Sequence, residues 1–245
     1  YQVWLAVLAV CTVSYASYLL QRNVAPKDGG LWAALLGGLY SSTATTVVLA
    51  RRARSSPGML GQVQTGIMLA TAVMYLRTLI IVAMFDWPLA LALTPALLAL
   101  AILGGGLAGL WYWFGAQRIT VGAAAETPAN PLELTAALVF AALFVVISLA
   151  STWVSTRFGA AGLYGLAAVV GATDIDPFVL SVASKGSTAF SNATGAAAIL
   201  IAASSNNALK AIYAAGFAGF RAAAAPAGAL VILALAGCGI AWWMA

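Results

Sequence analysis

The sequence contains no histidine, only two cysteines and only six acidic residues among 245. Histidine-based triads, zinc sites and cysteine clusters need residue types that are absent or too few here. Charged residues amount to 7% of the chain, whereas a soluble globular domain carries about 25%. A water-facing surface cannot be built from so few charges, and the shortage of reactive side chains argues against an enzyme. The composition therefore indicates a membrane protein that is not an enzyme, and the acidic residues leave an aspartyl-type intramembrane site as the one catalytic alternative.

Long apolar runs are abundant instead. Hydrophobic residue types form 63% of the chain, and eight runs are long enough to cross a hydrocarbon core about 30 Å thick. They lie at residues 2–20, 30–50, 59–84, 88–112, 132–156, 160–184, 192–217 and 223–244. The sequence thus predicts an all-α protein that crosses the lipid bilayer about eight times.

The two halves of the chain match each other. A shift of 133 residues aligns 1–112 with 134–245 without a gap and leaves 113–133 as a polar linker. Four spans in each half predict two parallel transmembrane repeats, although one re-entrant run would make the repeat inverted. The matched pairs are Gly29 and Gly162, Gly38 and Gly171, Gly104 and Gly237, Gly106 and Gly239, Thr71 and Ser204, and Arg77 and Lys210.

Span six carries a signal for a broken helix near mid-membrane. Asp174 and Asp176 are one residue apart, so on a regular helix their side chains would point about 200° apart. Pro177 is tolerated at the first position of a new helix, and Asp176 before it would be a suitable N-cap. We therefore expect an unwound stretch from Gly171 to Asp176. The glycines and hydroxyls of span two suggest a similar interruption after Gly38.

The candidate site consists of polar residues at membrane depth, where a carboxylate is costly unless it is paired or hydrated. Such residues in broken helices are typical of transporter binding sites. Hydroxyls that bond their own backbone, and basic side chains that reach the interface, are the structural alternatives. No cofactor is expected beyond a metal ion such as Mg²⁺ at the acidic pair. The predicted ion-binding residues are Asp174, Asp176, Ser41, Ser42, Thr43, Asn206 and Asn207, with Arg77 and Lys210 as intramembrane counter-ions, Gly38, Gly171 and Pro177 at the helix breaks, and Asp174 and Asp176 as metal ligands.

Four separated strings resemble a known family in order and spacing. They read GGLYSSTATTVVLARRAR, NPLELTAALVFAALF, GATDIDPFVLSVA and AAILIAASSNNALKA, and they resemble the prokaryotic membrane family called domain of unknown function 4010. Thr173 and Pro177 depart from the family's usual Gly-Leu-Ala-Asp-Val-Asp-Ala string. The resemblance implies a multi-pass protein of the cytoplasmic membrane. It also implies an MgtC/SapB-type membrane domain before Tyr1 and a link to ion homeostasis.

Two classes of function agree with these features. The first is a transporter or channel that moves a small ion, either a cation such as Mg²⁺ or a proton-coupled ion, between the two repeats. An anion or small solute is an alternative, because two buried bases and helix N-termini attract negative charge. The second class is a non-transporting regulator or partner subunit, whose interior should be dry and fully paired. The small-residue face Gly104–Gly106 would permit a close homodimer contact, and nothing in the sequence indicates nucleic-acid binding.

Overall fold

The computed structural model describes residues 30–115, 134–185 and 190–245, together with Leu8 and Thr12. These ranges contain seven α-helices and no β-strand. The helices are α1 (Gly30–Ser55), α2 (Leu60–Phe85), α3 (Trp87–Gly115), α4 (Leu134–Gly171), α5 (Ile175–Lys185), α6 (Asn192–Ala218) and α7 (Phe220–Met244), with a 3-10 turn at Pro57–Met59 between α1 and α2.

Five of these helices are long and apolar enough to cross a membrane: α1, α2, α3, α4 and α7. The sixth long helix, α6, has 27 residues but carries the polar stretch Ser204–Asn207 and Lys210. Large apolar side chains such as Trp113, Leu149 and Leu235 are exposed on the outside, as expected for lipid-facing surfaces. The prediction of an all-α, multi-pass membrane protein is confirmed, whereas the predicted span 2–20 lies outside the described ranges apart from the two residues near its middle.

Two interruptions affect the spans predicted at 132–156 and 160–184. One lies between the two spans, and the other lies inside the second span. Within α4, Gly159 has a φ of 61° and a ψ of −147°, a conformation that glycine adopts without a Cβ clash. It separates the predicted fifth and sixth spans. A second interruption lies between Gly171, where α4 ends, and Ile175, where α5 begins. The predicted break in span six is therefore confirmed.

The detail of this second break differs from the prediction. Asp174, rather than Asp176, is the N-cap, since its Oδ1 accepts the backbone N–H of Asp176 at 3.2 Å. Pro177 is the third residue of α5 rather than the first. The first helical N–H groups have no partner within the helix, so a proline that lacks an N–H is still tolerated at the third position. The side chain of Asp176, two residues after the cap, is thereby available for other contacts.

A break also interrupts α1, three residues after Gly38. Ser41 has a φ of −159° and a ψ of 108°, which is extended rather than helical backbone. The Ser41 hydroxyl accepts the backbone N–H of Ala44 at 3.3 Å and so caps the second segment of α1. The interruption expected after Gly38 is confirmed at this position.

Both breaks lie beside close helix crossings. A Cβ on Gly38 would be 2.6 Å from Cα of Ala70 in α2, and a Cβ on Gly171 would collide with the carbonyl of Ala202 in α6. No real Cβ tolerates such contacts, so glycine is required at both crossings. These crossings hold the breaks against the two helices that carry the buried basic residues.

Candidate functional site at the two helix breaks

Arg77, in the second half of α2, joins the two helix breaks. Its side chain is only 7% exposed. Nη1 donates to the carbonyl oxygen of Tyr40 at 2.7 Å, and Nη2 donates to Oδ2 of Asp176 at 2.5 Å in a salt bridge. Tyr40 directly precedes the break in α1, and Asp176 follows the break before α5. One arginine therefore links both breaks.

The break in α1 explains how a backbone group enters the site. In a continuous helix the carbonyl of Tyr40 would accept the N–H of Ala44, four residues on. Here the hydroxyl of Ser41 accepts that N–H, and the Tyr40 carbonyl accepts a hydrogen bond from the guanidinium of Arg77. Carbonyls released by a break can serve a site only where they are buried in protein or line a cavity.

The two acids at the second break have different surroundings. The side chain of Asp176 is 14% exposed and paired with Arg77, whereas Asp174 is exposed and caps α5. A divalent cation fits this pair poorly, because a guanidinium already holds one carboxylate. The described ranges also contain no group of three or more histidine, cysteine or acidic side chains that could hold a metal.

Lys210 of α6 forms the second basic centre and is fully buried. Its Nζ donates to Sδ of Met74 at 3.0 Å and to Oδ1 of Asn207 at 3.3 Å. Asn207 in turn donates from Nδ2 to the hydroxyl of Tyr75 at 2.6 Å. In the part of the chain that the structure describes, no carboxylate lies within 4.0 Å of Lys210. Amide and thioether groups surround its ammonium, and the role of Lys210 as an intramembrane counter-ion stays a prediction.

Asn206, next to Asn207 in the chain, connects α6 to the second break. Its Nδ2 donates to the carbonyl of Gly171 at 3.1 Å. Its Oδ1 is buried without a hydrogen-bond partner among the described residues, and so is Nε of Arg77. Buried polar atoms are nearly always paired in native structures. The two unpaired atoms therefore mark places where a ligand or water would complete the site.

The predicted hydroxyls of α1 lie at the first break or directly after it, and their surroundings differ. The Ser41 hydroxyl is occupied as the cap of the second segment. Ser42 is buried, and its carbonyl accepts the Thr46 hydroxyl at 2.8 Å. Thr43 is half-buried one residue further along. The structure thus brings Arg77 and Asp176 into contact, whereas the hydrogen bonds of Ser41 and Ser42 lie within the broken helix α1.

Several contributors to the site carry no clear sequence signal. The Tyr40 carbonyl becomes available only through the break that follows it, and a backbone group leaves no pattern in a sequence. Tyr75 and Met74 resemble ordinary apolar residues of α2, yet they bond Asn207 and Lys210. The spacing of Tyr75 two residues before the buried Arg77 is too common to single it out.

A second polar cluster lies away from the breaks, between α4 and α5. Lys185 donates from Nζ to the carbonyl of Ser148 and to the hydroxyl of Ser151, each at 2.7 Å. The Ser151 hydroxyl also lies 2.8 Å from that of Ser181. This cluster ties α5 to the first segment of α4 and shares none of these hydrogen bonds with Arg77 or Lys210.

Comparison with known proteins supplies the family. Residues 8–218 match the family model described as "Domain of unknown function (DUF4010)". A protein of Aquifex aeolicus (strain VF5), named only as an uncharacterized protein, is 32% identical over 188 residues, which cover 74% of this chain and 79% of that protein. No solved structure matches. The association with MgtC/SapB-type domains is no part of these matches and stays a prediction. On the family match across most of its length, the chain belongs to the DUF4010 family.

Proposed function

We propose that this protein transports a small ion or solute across the membrane, through the polar centre at which its two helix breaks meet. The observation that carries the proposal is the double contact of Arg77, which bonds a carbonyl at one break and a carboxylate at the other. In secondary transporters, substrates and coupling ions bind near mid-membrane at discontinuous helices, because their exposed helix ends supply dipoles and free backbone groups.

We further propose that residues 1–112 and 134–245 are two structural repeats with the site between them. Two reciprocal contacts support this. A Cβ on Gly104 of α3 would lie 3.4 Å from Leu233 of α7, and a Cβ on Gly237 of α7 would lie 3.8 Å from Leu100 of α3. Each pair maps onto the other under the shift of 133 residues, as expected for halves related by a twofold axis.

Incomplete pairing favours transport over a purely structural or regulatory role. Interhelical hydrogen bonds that only hold helices together are satisfied on both sides, since an unpaired polar group in hydrocarbon is costly. At this site Nε of Arg77 and Oδ1 of Asn206 are unpaired within the described ranges. The salt bridge of Arg77 instead supports the second candidate function, that of a non-transporting partner subunit. The origin of the relative in Aquifex aeolicus supports placing the protein in a prokaryotic cytoplasmic membrane.

Flux into sealed liposomes tests transport. Purified protein is reconstituted, and the uptake of a panel of radiolabelled or dye-reported cations and anions, with and without a pH gradient, is compared with protein-free liposomes. The informative variant combines Arg77→Gln with Asp176→Asn, because it removes both charges together and leaves neither one buried alone. We expect flux in the wild type and a loss of at least about ten-fold in the double variant.

Asp86→Asn provides the matched control. Asp86 is a buried carboxylate whose Oδ1 accepts the N–H of Leu89 at the start of α3, and asparagine caps helices about as well as aspartate. This variant undergoes the same chemical change away from the breaks and should retain flux. The proposal would be wrong if no ion or solute moved with the wild type, or if the double variant conducted as well as the control.

A further inference from the structure

We infer that the site accepts a small anion, held between Lys210 and Arg77. This inference rests on the proposed transport function and names its class of substrate. In the sequence, two acids and two bases at membrane depth sum to zero charge, so the sign of a substrate cannot be read from them. Their different burial in the structure removes that balance.

The buried charges at the site are unequal. Arg77 and Lys210 are both buried, and Asp176 is the largely buried acid beside them. Asp174, the other acid at the break, is the more exposed of the two and is engaged as the helix cap. Among the described residues of the centre, two enclosed basic side chains therefore face one enclosed carboxylate. An enclosed charge without compensation costs several kcal/mol, and a bound anion would supply the missing negative charge.

The hydrogen-bond donors at the site also exceed the acceptors. The ammonium of Lys210 has three N–H donors, and the acceptors that it contacts are a thioether and an amide oxygen 3.3 Å away. A thioether is a weak acceptor. Nε of Arg77 is a buried donor without any acceptor among the residues that the structure describes. Free donors on two cationic groups suit the oxygen atoms or the halide surface of an anion.

The two donors lie on one side of α2. Lys210 donates a hydrogen bond to Met74 of that helix. Arg77 is three residues after Met74, and this spacing places the side chains of Met74 and Arg77 on one face of α2. Asp176 forms a salt bridge with Arg77 and lies more than 4.0 Å from the ammonium of Lys210. Asp176 therefore occupies the position of an internal competitor, which binds the arginine when no anion is present.

Thermal unfolding of the purified protein tests the inference without any assumption about flux. The probes are sodium chloride, sodium sulfate and sodium phosphate at matched ionic strength, each compared with sodium gluconate. We expect at least one of these anions to raise the Tm in a saturable manner, because a ligand that binds the folded state stabilises it. Equal Tm values in all four salts would overturn the inference.

Two lysine variants assign the effect to the site. Lys210→Met keeps the length of the side chain and should raise the half-saturating anion concentration by about ten-fold or more, since a charge-assisted contact is lost. Lys185→Met is the matched control, because Lys185 belongs to the separate serine cluster, and it should respond as the wild type does. An unchanged anion response in Lys210→Met would overturn the inference.

Asp176→Asn distinguishes an anion site from a cation site. Removing the internal competitor should lower the half-saturating anion concentration, whereas a cation site would lose its main ligand. Sodium, potassium or magnesium flux that this variant abolishes would overturn the anion inference and leave the transport proposal standing. Absence of flux for every ion in the wild type would instead contradict the transport proposal.

Discussion

Two glutamines near the start of α2 show how differently neighbouring polar residues are used. Gln64 donates from Nε2 to the carbonyl of Ala222 in α7 at 2.7 Å, and its Oε1 accepts the indole N–H of Trp111 in α3 at 2.9 Å. Gln62 is half-buried, and its Oε1 finds no partner within the described ranges. At the scale of single residues, the amide of Gln64 connects three helices, whereas the amide of Gln62 connects none of the helices that the structure describes.

We expect Gln64→Leu to lower the free energy of unfolding by about 1–3 kcal/mol, because each interhelical hydrogen bond in a membrane contributes about 0.6 and at most about 1.7 kcal/mol. Gln62→Leu should leave the free energy of unfolding within about 0.5 kcal/mol of the wild type or raise it, since a buried unpaired acceptor is removed. Reversible unfolding in mixed detergent micelles measures both values. Equal losses in the two variants would show that the contacts of Gln64 do not stabilise the fold.

At the scale of helices, the breaks and the close crossings form one arrangement. Each break follows a glycine that allows another helix to approach its backbone: α2 at Gly38 and α6 at Gly171. These two approaching helices carry Arg77 and Lys210, respectively. Because the crossing sets how far the basic helix lies from the break, the two glycines determine the positions of Arg77 and Lys210 relative to the breaks.

Gly171→Ala should therefore destabilise the protein by about 1–3 kcal/mol, the usual cost of overpacking. Its new Cβ would collide with the carbonyl of Ala202. Gly165→Ala is the control on the same helix, because nothing lies within 4 Å of its Cβ position. Alanine is the better helix former, so this variant should be stabilised by about 0.5–1 kcal/mol. Similar Tm values for the two variants would mean that α4 and α6 do not approach as closely as described.

At the scale of the whole molecule, α3 and α7 meet through reciprocal leucine and glycine contacts. Leu100 and Leu233 are 1% and 0% exposed, and each lies against a glycine of the opposite helix. If the halves are repeats, these leucines occupy equivalent environments. The pairing of α3 with α7 then joins the two halves around the site rather than serving either half alone.

Leu100→Ala and Leu233→Ala should accordingly destabilise the protein by similar amounts, about 2–5 kcal/mol each, since both leave a cavity in a closed core. Leu103→Ala, on the same helix as Leu100 but 38% exposed, should cost less than about 1 kcal/mol, because lipid can fill the space. Unfolding in detergent micelles or in bicelles compares the three. A large difference between Leu100→Ala and Leu233→Ala would count against equivalent halves.

Much of the helical framework was predictable because hydropathy is a local property. The spans expected at 59–84 and 88–112 correspond to α2 at Leu60–Phe85 and α3 at Trp87–Gly115. The break in the sixth span was also predictable, since Pro177 and two aspartates cannot continue a regular buried helix. The identity of the cap was not. It depends on which N–H groups remain free after the chain has turned, and Asp174 rather than Asp176 lies in reach of one.

The sequence alone predicts a membrane protein with four charges at depth, because composition and residue spacing need no knowledge of contacts. It cannot show which of those charges are enclosed together, since burial depends on helices far apart in the chain. The tertiary structure pairs Arg77 with Asp176 across 99 residues, encloses Lys210 without a carboxylate in contact among the described residues, and leaves Asp174 exposed. A set of charges that is neutral in the sequence is thus unbalanced in the fold, and that difference is the physical reason to expect an anion at the site.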